Sequence, residues 1–545
     1  MTLRTVLSSL LLILAIGPEA APARDLAPAG VRRSTTMVTM PDGVQLATDI
    51  WLPKGRGPFP TLVKRTPYGR RQDNWESSYA EKGYAVVIQD VRGRHGSGGE
   101  YDAFLSDGWG ENQDGLETVE WAAAQSWSTG SVCVTGASAP GITSYLAVGA
   151  VPDHLVCSFL EVATGDLYDI AVFQGGAFRQ EMVTGWLASL GALDIIDLIE
   201  EHPTRDDYWD PVYLPDRYAE VNVPVYHRAG WWDPFLQGNL NAFHGFISQS
   251  SAREDQYLVI GPWTHGGRGS LTQGELTYPA NSSWDVSGDR DQFLEYYLKG
   301  SGAGLGDRAR VAYYLMGDVD DANAPGNVWR SVDVWPPPST PVAWYLQPNK
   351  TLSQNRPTTS TSLTYNYDPE DPVPTTGGNN LTIPPGPYDQ SDVENRPDVL
   401  VFTSAPLTTP VAIAGPVTAH LVVSSSALDT DFTVKLTDVY PDGRSMSVVD
   451  GILKMRFREG VEEEVLMDPG EIYDIDVDLW STAIVFNKGH QIRVVVSSSN
   501  DPRFEPNPNT GEDWHQETGS LIAQQTLYLS GHSPSYITFP TVPLP

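Results

Sequence analysis

Residues 131–148 have the sequence SVCVTGASAPGITSYLAV, and this stretch decides which fold the chain can adopt. An apolar, β-branched run comes first, a turn of small residues follows, and a run with helical character completes it. This order is the setting of a nucleophile elbow, in which only small residues fit around the turn and the serine hydroxyl stands above the strand end. The stretch predicts Ser138 as a nucleophile, and the alternative is an ordinary strand-to-helix turn.

The turn departs from the usual elbow at one position. Pro140 stands two residues after the serine, where a glycine is usual, and Gly141 comes one residue later. Ser138 is the one serine of the chain with this Gly-x-Ser-x-x-Gly spacing. Because so short a pattern also arises by chance, the prediction needs support from residues elsewhere in the chain.

Strand and helix patterns alternate on both sides of the elbow. The apolar, β-branched segments predict strands at 45–53, 59–64, 84–90, 132–136, 155–160, 223–227 and 256–260. Such strands, separated by helices, are typical of a parallel sheet that is covered on both faces. The sequence therefore predicts an α/β domain formed by residues 30–165 and 221–335.

Two other segments have different patterns. Residues 166–220 are rich in Trp, Leu and Ile and predict a helical cap without strands, inserted into the sheet domain. Beyond Trp335 helical periods vanish, and short alternating strands are separated by turn residues, which predicts an antiparallel sandwich or jelly roll over residues 336–545. Within it, the Thr-, Pro-, Gly- and Asn-rich stretch from Pro357 to Pro387 predicts a loop over the surface.

Composition excludes several classes of partner. The chain has 545 residues, 40% hydrophobic content and 16 tryptophans, enough to build more than one core. Its formal net charge of -33 argues against nucleic acid and against an anionic membrane surface. No His, Cys or Asp cluster has metal-ligand spacing, so no metal is expected.

The two cysteines, Cys133 and Cys157, lie in apolar runs, where buried free thiols or a disulfide are both compatible with the sequence. Nothing in the sequence indicates an oligomeric state.

The N-terminus has the features of a secretory signal peptide. Arg4 precedes a short apolar core that ends near Ile16, and Ala21-Pro22-Ala23 provides an Ala-x-Ala exit. We expect residues 1–23 to be removed, leaving a secreted or periplasmic protein without a membrane anchor. An uncleaved anchor or a disordered tail is the alternative.

A nucleophilic serine needs a base to take its proton and an acid to orient that base. In a doubly wound hydrolase these follow later strands, in the order nucleophile, acid, base. Asp233 follows the strand at 223–227, and His265 follows the strand at 256–260. Both are expected at the carboxyl edge of the sheet, where such sheets bind ligands. The sequence predicts a triad of Ser138, Asp233 and His265.

Acyl transfer also needs hydrogen-bond donors for the oxyanion. The backbone N–H of Ala139, which follows the nucleophile, predicts one donor. The loop after an early strand normally supplies the other, and here it contains Pro67, which has no N–H. The phenol of Tyr68 is the expected substitute.

Several ordered motifs resemble one family. They are Pro67-Tyr68, the run Asp90-Val91-Arg92-Gly93-Arg94-His95-Gly96-Ser97-Gly98-Gly99-Glu100, Gly-x-Ser-x-x-Gly at Ser138, Gly230-Trp231-Trp232-Asp233, Gly261-Pro262-Trp263-Thr264-His265, and Asp429-Thr430-Asp431-Phe432. Together they resemble the cocaine esterase-like hydrolases, which are grouped with the X-prolyl dipeptidyl peptidases and α-amino acid ester hydrolases. The resemblance covers nearly all of the chain after residue 23.

The resemblance implies an α/β-hydrolase domain with a helical cap and a C-terminal, galactose-binding-like jelly roll. It implies the triad and oxyanion donors given above, an aromatic lining of the acyl pocket at Phe235, and no cofactor. The expected activity is hydrolysis of a small-molecule ester through an acyl-enzyme. The alternatives are an amide- or amino-ester-directed relative, for which the cap segment Glu200–Trp209 is the relevant feature, and a non-catalytic binding protein.

Overall fold

The structure is a computed structural model, and it describes residues 30–71, 75–306, 308–514 and 518–545. The leader expected over residues 1–23 lies outside the described residues and stays a prediction. Of the helices in the described ranges, none combines the length and the apolar character needed to cross a membrane.

The first part of the chain alternates strands and helices as the hydrophobic pattern predicts. Its elements are β1 (Val31–Thr39), β2 (Gln45–Pro53), β3 (Phe59–Thr66), α1 (Trp75–Glu81), β4 (Ala85–Asp90), α2 (Asp114–Ala123), β5 (Ser128–Ala137), α3 (Ala139–Ala150) and β6 (Leu155–Glu161). In β4 every residue is buried, which is why that strand has no alternation of polar and apolar residues.

The cap that follows is mostly helical, but it also contains a short hairpin. Its elements are a π-helical turn (Leu167–Val172), β7 (Phe173–Gln174), β8 (Ala177–Phe178), α4 (Gln180–Leu190) and α5 (Ile195–Glu200). The prediction of a cap without strands is therefore wrong at this hairpin. Gly175 and Gly176 connect its strands with φ of 55° and 76°, a conformation that two consecutive glycines adopt without strain.

After the cap the chain completes the first sheet. The elements are β9 (Val225–Trp232), α6 (Leu236–Gln249), β10 (Gln256–Thr264), β11 (Thr272–Gln273), β12 (Leu276–Thr277), α7 (Val286–Tyr297), β13 (Val311–Leu315) and β14 (Val328–Val332). The strand order is β1-β2-β4-β3-β5-β6-β9-β10-β13-β14. Neighbouring strands from β4 to β13 are parallel, and the outer strands are antiparallel, so the predicted α/β class is confirmed.

Where the structure describes it, the C-terminal part is all-β apart from one short helix and a 3₁₀ turn (Met455–Phe457). Its elements are β15 (Thr340–Leu346), β16 (Leu352–Ser353), β17 (Thr361–Tyr367), α8 (Ser391–Glu394), β18 (Leu400–Thr403), β19 (Val411–Ser425), β20 (Asp431–Val439), β21 (Ser445–Lys454), β22 (Tyr473–Phe486), β23 (Gln491–Ser497), β24 (Ala523–Leu529) and β25 (Tyr536–Thr541). One antiparallel sheet has the order β16-β15-β25-β19-β24-β17 with β22 on β19, and the other has β18-β23-β20-β21. Apolar side chains such as Leu421 and Val434 belong to one core that also includes Leu146 of the first half.

The predicted surface loop from Pro357 to Pro387 is wrong in two respects. Its first part contains β17, whose whole length pairs with β24. Its later part runs inward, where Asn379 and Asn380 are buried. The polar composition has a structural use there, because the two amides donate hydrogen bonds to the backbone carbonyls of Trp231, Asp233, Gly377 and Pro384.

Candidate active site

Ser138 lies between β5 and α3 in a strained backbone conformation, with φ 61° and ψ −135°. The neighbouring glycines make this turn possible. A Cβ on Gly136 would lie 2.2 Å from backbone atoms of Pro140, and one on Gly141 would lie 2.6 Å from the Cβ of Ala163. Because neither position has room for a side chain, the turn stays tight and the serine hydroxyl is directed away from the sheet.

The two partners expected for Ser138 lie within hydrogen-bond distance in a continuous chain. His265 Nε2 is 2.9 Å from Ser138 Oγ, and His265 Nδ1 is 2.7 Å from Asp233 Oδ2. Ser138, Asp233 and His265 follow β5, β9 and β10, three parallel strands that end at the same edge of the sheet. The structure therefore brings together three residues that are up to 127 positions apart in sequence.

The charge on the acid sets the direction of each hydrogen bond. Asp233 is fully buried, and an ionised carboxylate can only accept, so His265 donates from Nδ1. Nε2 is then left to accept the proton of the Ser138 hydroxyl. Asp233 Oδ1 also accepts from the N–H of Phe235, at 2.8 Å, which fixes the carboxylate plane.

Two candidate donors to the carbonyl oxygen of a substrate lie beside Ser138. The N–H of Ala139 is the first of α3 and has no acceptor within that helix. The Tyr68 phenol is the second, on the loop after β3. Burial raises the pKa of Tyr68, while hydrogen bonds with Trp186 and Ser138 act in the opposite direction, so the phenol keeps its proton at neutral pH.

The loop that carries Tyr68 is braced by polar side chains. Its Tyr68 N–H donates to Thr66 Oγ1 at 3.1 Å, and His95 Nε2 lies 3.0 Å from the Pro67 carbonyl oxygen. Asp90 accepts from the N–H of Arg70 at 2.6 Å and also contacts its guanidinium. The glycine-rich run after Asp90 thus holds the Tyr68 loop against the sheet.

A cavity opens beside Ser138 and is lined mainly by the cap. Together with its mouth it has a volume of about 710 Å³. Phe104, Trp186, Trp209, Phe235 and Leu381 are among its lining residues. In the part of the chain that the structure describes, no charged side chain lines it, and Ser138 and Tyr208 alone contribute hydroxyl groups. The cavity can therefore hold an uncharged, apolar group next to the Ser138 hydroxyl.

Phe235 occupies the place that the sequence predicts for it, in the wall of this cavity. Its ring centroid lies 5.7 Å from that of His265, and the two planes are at 69°. It is 5% exposed, so it separates the imidazole from solvent on the side of the cavity.

Sequence reasoning missed two residues that hold the acid and the histidine in place. Asn379, from the C-terminal part, donates to the carbonyl oxygens of Asp233 at 2.9 Å and Trp231 at 3.1 Å. Gln273 accepts from the N–H of Thr264, at 2.9 Å, and donates to carbonyls later in the His265 loop. No spacing in the sequence pointed to either, because both act across long or irregular loops.

Other polar groups of the first half do not join this site. His227 is buried in β9, where its Nδ1 lies 2.6 Å from the Tyr145 hydroxyl. Cys133 and Cys157 are adjacent in β5 and β6, and both are buried free thiols. Within the described ranges, His, Cys, Asp and Glu side chains form no group of three that could hold a metal ion.

Comparisons with known proteins find matches along nearly the whole chain. The X-Pro dipeptidyl-peptidase (S15 family) model matches residues 42–195 and 188–267, and the X-Pro dipeptidyl-peptidase C-terminal non-catalytic domain matches residues 303–538. Cocaine esterase from Rhodococcus sp. (strain MB1 Bresler) is 33% identical over 93% of this chain and 98% of its own length.

Two solved structures share the fold over their full length. An α-amino acid ester hydrolase superposes with a TM-score of 0.81 and 26% identity, covering 98% of this chain and 100% of that one. An aminopeptidase from a marine sediment thaumarchaeon also has a TM-score of 0.81, with 24% identity over 97% of this chain and 99% of its own. The names of the cocaine esterase and of the α-amino acid ester hydrolase both describe ester hydrolysis.

Proposed function

Because the chain belongs to the X-Pro dipeptidyl-peptidase (S15) family of serine hydrolases that includes cocaine esterase, we propose that it hydrolyses carboxylic esters with an uncharged, apolar acyl group. One observation carries this proposal. The hydrogen-bonded chain of Asp233, His265 and Ser138 ends at the wall of a cavity without charged lining residues, among those that the structure describes.

The proposed reaction proceeds in two halves through Ser138. His265 Nε2 takes the hydroxyl proton as Oγ bonds to the ester carbonyl carbon, and Asp233 stabilises the imidazolium. The N–H of Ala139 and the phenol of Tyr68 donate to the resulting oxyanion. When the intermediate collapses, the bond to the alcohol oxygen breaks, and His265 returns its proton to that oxygen.

The second half removes the acyl group from the enzyme. Water gives a proton to His265 Nε2 and attacks the acyl-enzyme carbonyl, through a second oxyanion in the same position. Collapse then breaks the bond to Ser138 Oγ, which recovers its proton from His265. The products are the carboxylic acid and the alcohol, and the enzyme is unchanged.

Two carboxyls that are adjacent in sequence to cavity-lining residues, Asp102 and Glu181, favour an ester over a substrate with a free α-amine. An ammonium group needs an available carboxylate as its partner. Asp102 accepts from the N–H of Ser106, and burial raises the pKa of Asp102, which favours its neutral form. Glu181 accepts from the N–H groups of Leu381 and Thr382.

The cap segment Glu200–Trp209 supports the same choice. Asp206 Oδ2 lies 2.7 Å from His202 Nδ1, and its Oδ1 accepts from the N–H of Tyr208. This carboxylate is thus committed to the local fold of the segment. An amide- or amino-ester-directed activity remains the second candidate. The name of the family model and that of the α-amino acid ester hydrolase support it. Among the described residues, however, no carboxylate lines the cavity.

A substrate panel tests the proposal. We expect p-nitrophenyl butyrate to be turned over with a kcat/KM at least tenfold above that for an α-amino acid p-nitrophenyl ester, and little release of p-nitroaniline from an Ala-Pro anilide. Ser138→Ala should abolish all turnover. A preference for the amino ester or the anilide would overturn the ester assignment, and activity that survives in Ser138→Ala would overturn the nucleophile.

A separate proposal concerns location. The charged start, short apolar core and Ala-x-Ala exit within residues 1–23 support export, with the mature chain starting at Arg24. N-terminal sequencing of the protein from fractionated cells tests this. Protein that keeps Met1 and stays in the cytoplasm would contradict it.

A further inference from the structure

Trp186 connects the cap to the oxyanion side of the site. It lies on α4, and its indole N–H donates to the Tyr68 hydroxyl oxygen at 2.9 Å. The two residues are 118 positions apart in sequence, so this bond joins the cap to a loop of the parallel sheet. The Trp186 ring also forms part of the cavity wall next to Ser138.

The indole is held in this orientation by a stacked aromatic ring. Phe104 lies face to face with it, with centroids 5.4 Å apart and planes at 5°. Phe104 has φ 85° and the preceding Ala103 has φ 45°, a conformation that residues with a side chain rarely adopt. Such strain persists where the surrounding contacts determine the conformation, and here it places the Phe104 ring against Trp186.

The bond from Trp186 decides what the Tyr68 hydroxyl can do. A phenol has one donor and two acceptor sites, and an indole N–H can only donate. With an acceptor site of Tyr68 occupied by Trp186, the remaining O–H is free to point towards Ser138 and the oxyanion. A hydroxyl that accepts one hydrogen bond is also polarised into a better donor for the next.

We propose that Trp186 is a positioning residue that couples the acyl cavity to the oxyanion hole by orienting the Tyr68 hydroxyl. This rests on the proposed ester hydrolysis. An acyl group that fills the cavity against Trp186 holds the indole, and through it the phenol, in the orientation that stabilises the oxyanion. Acyl groups too small to touch the indole do not hold it in this orientation. The length of the acyl chain therefore affects kcat as well as substrate binding.

A double-mutant cycle with Tyr68 tests the proposal. Trp186→Phe keeps a ring that can stack on Phe104 but removes the N–H. For p-nitrophenyl butyrate we expect kcat to fall about tenfold, the effect of one hydrogen bond, while KM changes less than twofold. Tyr68→Phe should lower kcat further, and adding Trp186→Phe to it should cost nothing more, because the indole then has no hydroxyl to orient.

Trp329→Phe is the matched control. Trp329 lies outside the cavity lining, and its indole N–H donates to the carbonyl oxygen of Asn281 at 2.7 Å and not to Tyr68. We expect it to change kcat less than threefold and to be additive with Tyr68→Phe. The proposal is overturned if the fold-losses in kcat of Trp186→Phe and Tyr68→Phe multiply in the double variant. It is also overturned if Trp186→Phe leaves kcat unchanged.

The same cycle is measured a second time by the rate at which a fluorophosphonate labels Ser138. This reaction needs the nucleophile and the oxyanion donors, whatever the preferred substrate. A wild-type enzyme that is labelled but does not hydrolyse butyrate contradicts the proposed function alone, and the labelling rates then decide the role of Trp186. Non-additive losses support the coupling, and independent losses contradict it.

Discussion

At the nucleophile elbow, the close approach of Gly136 to the backbone of Pro140 holds Ser138 in a tight turn, whereas the oxyanion side takes Tyr68, Phe104 and Trp186 from three separate segments. The elbow depends on backbone atoms that have no room to move. The oxyanion side depends on hydrogen bonds and stacking between side chains, which can be weakened one at a time. We therefore expect changes at the elbow to be all-or-none, and changes on the oxyanion side to be graded.

The largest effect is expected from Gly136→Ala. The new Cβ would lie 2.2 Å from the carbonyl carbon and oxygen of Pro140, and backbone cannot yield as a flexible side chain does. We expect esterase activity to fall to the level of Ser138→Ala, with lower thermal stability. Gly519→Ala is the control, because no atom of the described residues lies within 4 Å of its added Cβ. An active Gly136→Ala enzyme would show that the elbow is not sterically fixed.

Tyr68→Phe comes next and tests the oxyanion side. It removes one side-chain donor from the developing oxyanion, and losses of about 10² to 10³ in kcat are typical of such a change. KM should change little, since the carbonyl is bound more tightly in the transition state than in the ground state. Steady-state kinetics on p-nitrophenyl butyrate give both constants. A kcat within threefold of wild type would exclude Tyr68 as an oxyanion donor.

Asn379→Asp tests whether the C-terminal part contributes to the site, like the oxyanion side, through side-chain hydrogen bonds that can be weakened one at a time. The substitution keeps the size of the side chain but places an acceptor against the carbonyl oxygens of Trp231 and Asp233. We expect kcat to fall about tenfold as the acid shifts. Asn380→Asp disturbs the same loop without touching the acid, because that amide donates to Gly377 and Pro384. Equal losses of kcat in the two variants would show that Asn379 stabilises the loop and does not position the acid.

Phe235→Leu should have the smallest effect and sharpens the definition of the cavity. Loss of the ring opens space beside His265 and removes apolar contact with the acyl group. We expect kcat/KM to fall about fivefold for a butyrate ester and less for an acetate ester, which reaches less of the cavity wall. Equal losses on the two esters would show that Phe235 acts on His265 and not on the acyl group.

The same contrast explains how far the sequence could predict the molecule. Parallel strands bring their carboxyl ends to one edge, so the positions of Ser138, Asp233 and His265 could be inferred from strand order alone. The requirement for a small residue at Gly136 is likewise local, because its added Cβ would meet Pro140, whereas Gly141 is limited by Ala163, which follows β6. The strand ends and the constraint at Gly136 follow from the chain's own periodicity and from sterics within a few residues.

The oxyanion side and the cap could be predicted only in part. Tyr68 was expected because Pro67 lacks an N–H, but the partner Trp186 lies 118 residues away on a helix whose orientation no pattern gives. The Gly175-Gly176 hairpin was missed although two glycines between short apolar runs are a hairpin signal. The polar composition of the Asn379 loop predicts a surface position, and only the tertiary structure shows to which carbonyls its buried amides donate.

One measurement tests the central claim most directly, that Ser138 is made nucleophilic by His265 and Asp233. The purified protein is treated with a fluorophosphonate, and the modified residue is located by peptide mapping with mass spectrometry. We predict a single adduct on Ser138, formed much more slowly in His265→Ala and absent from Ser138→Ala. No adduct on the wild-type protein, or an adduct on another residue, would contradict it.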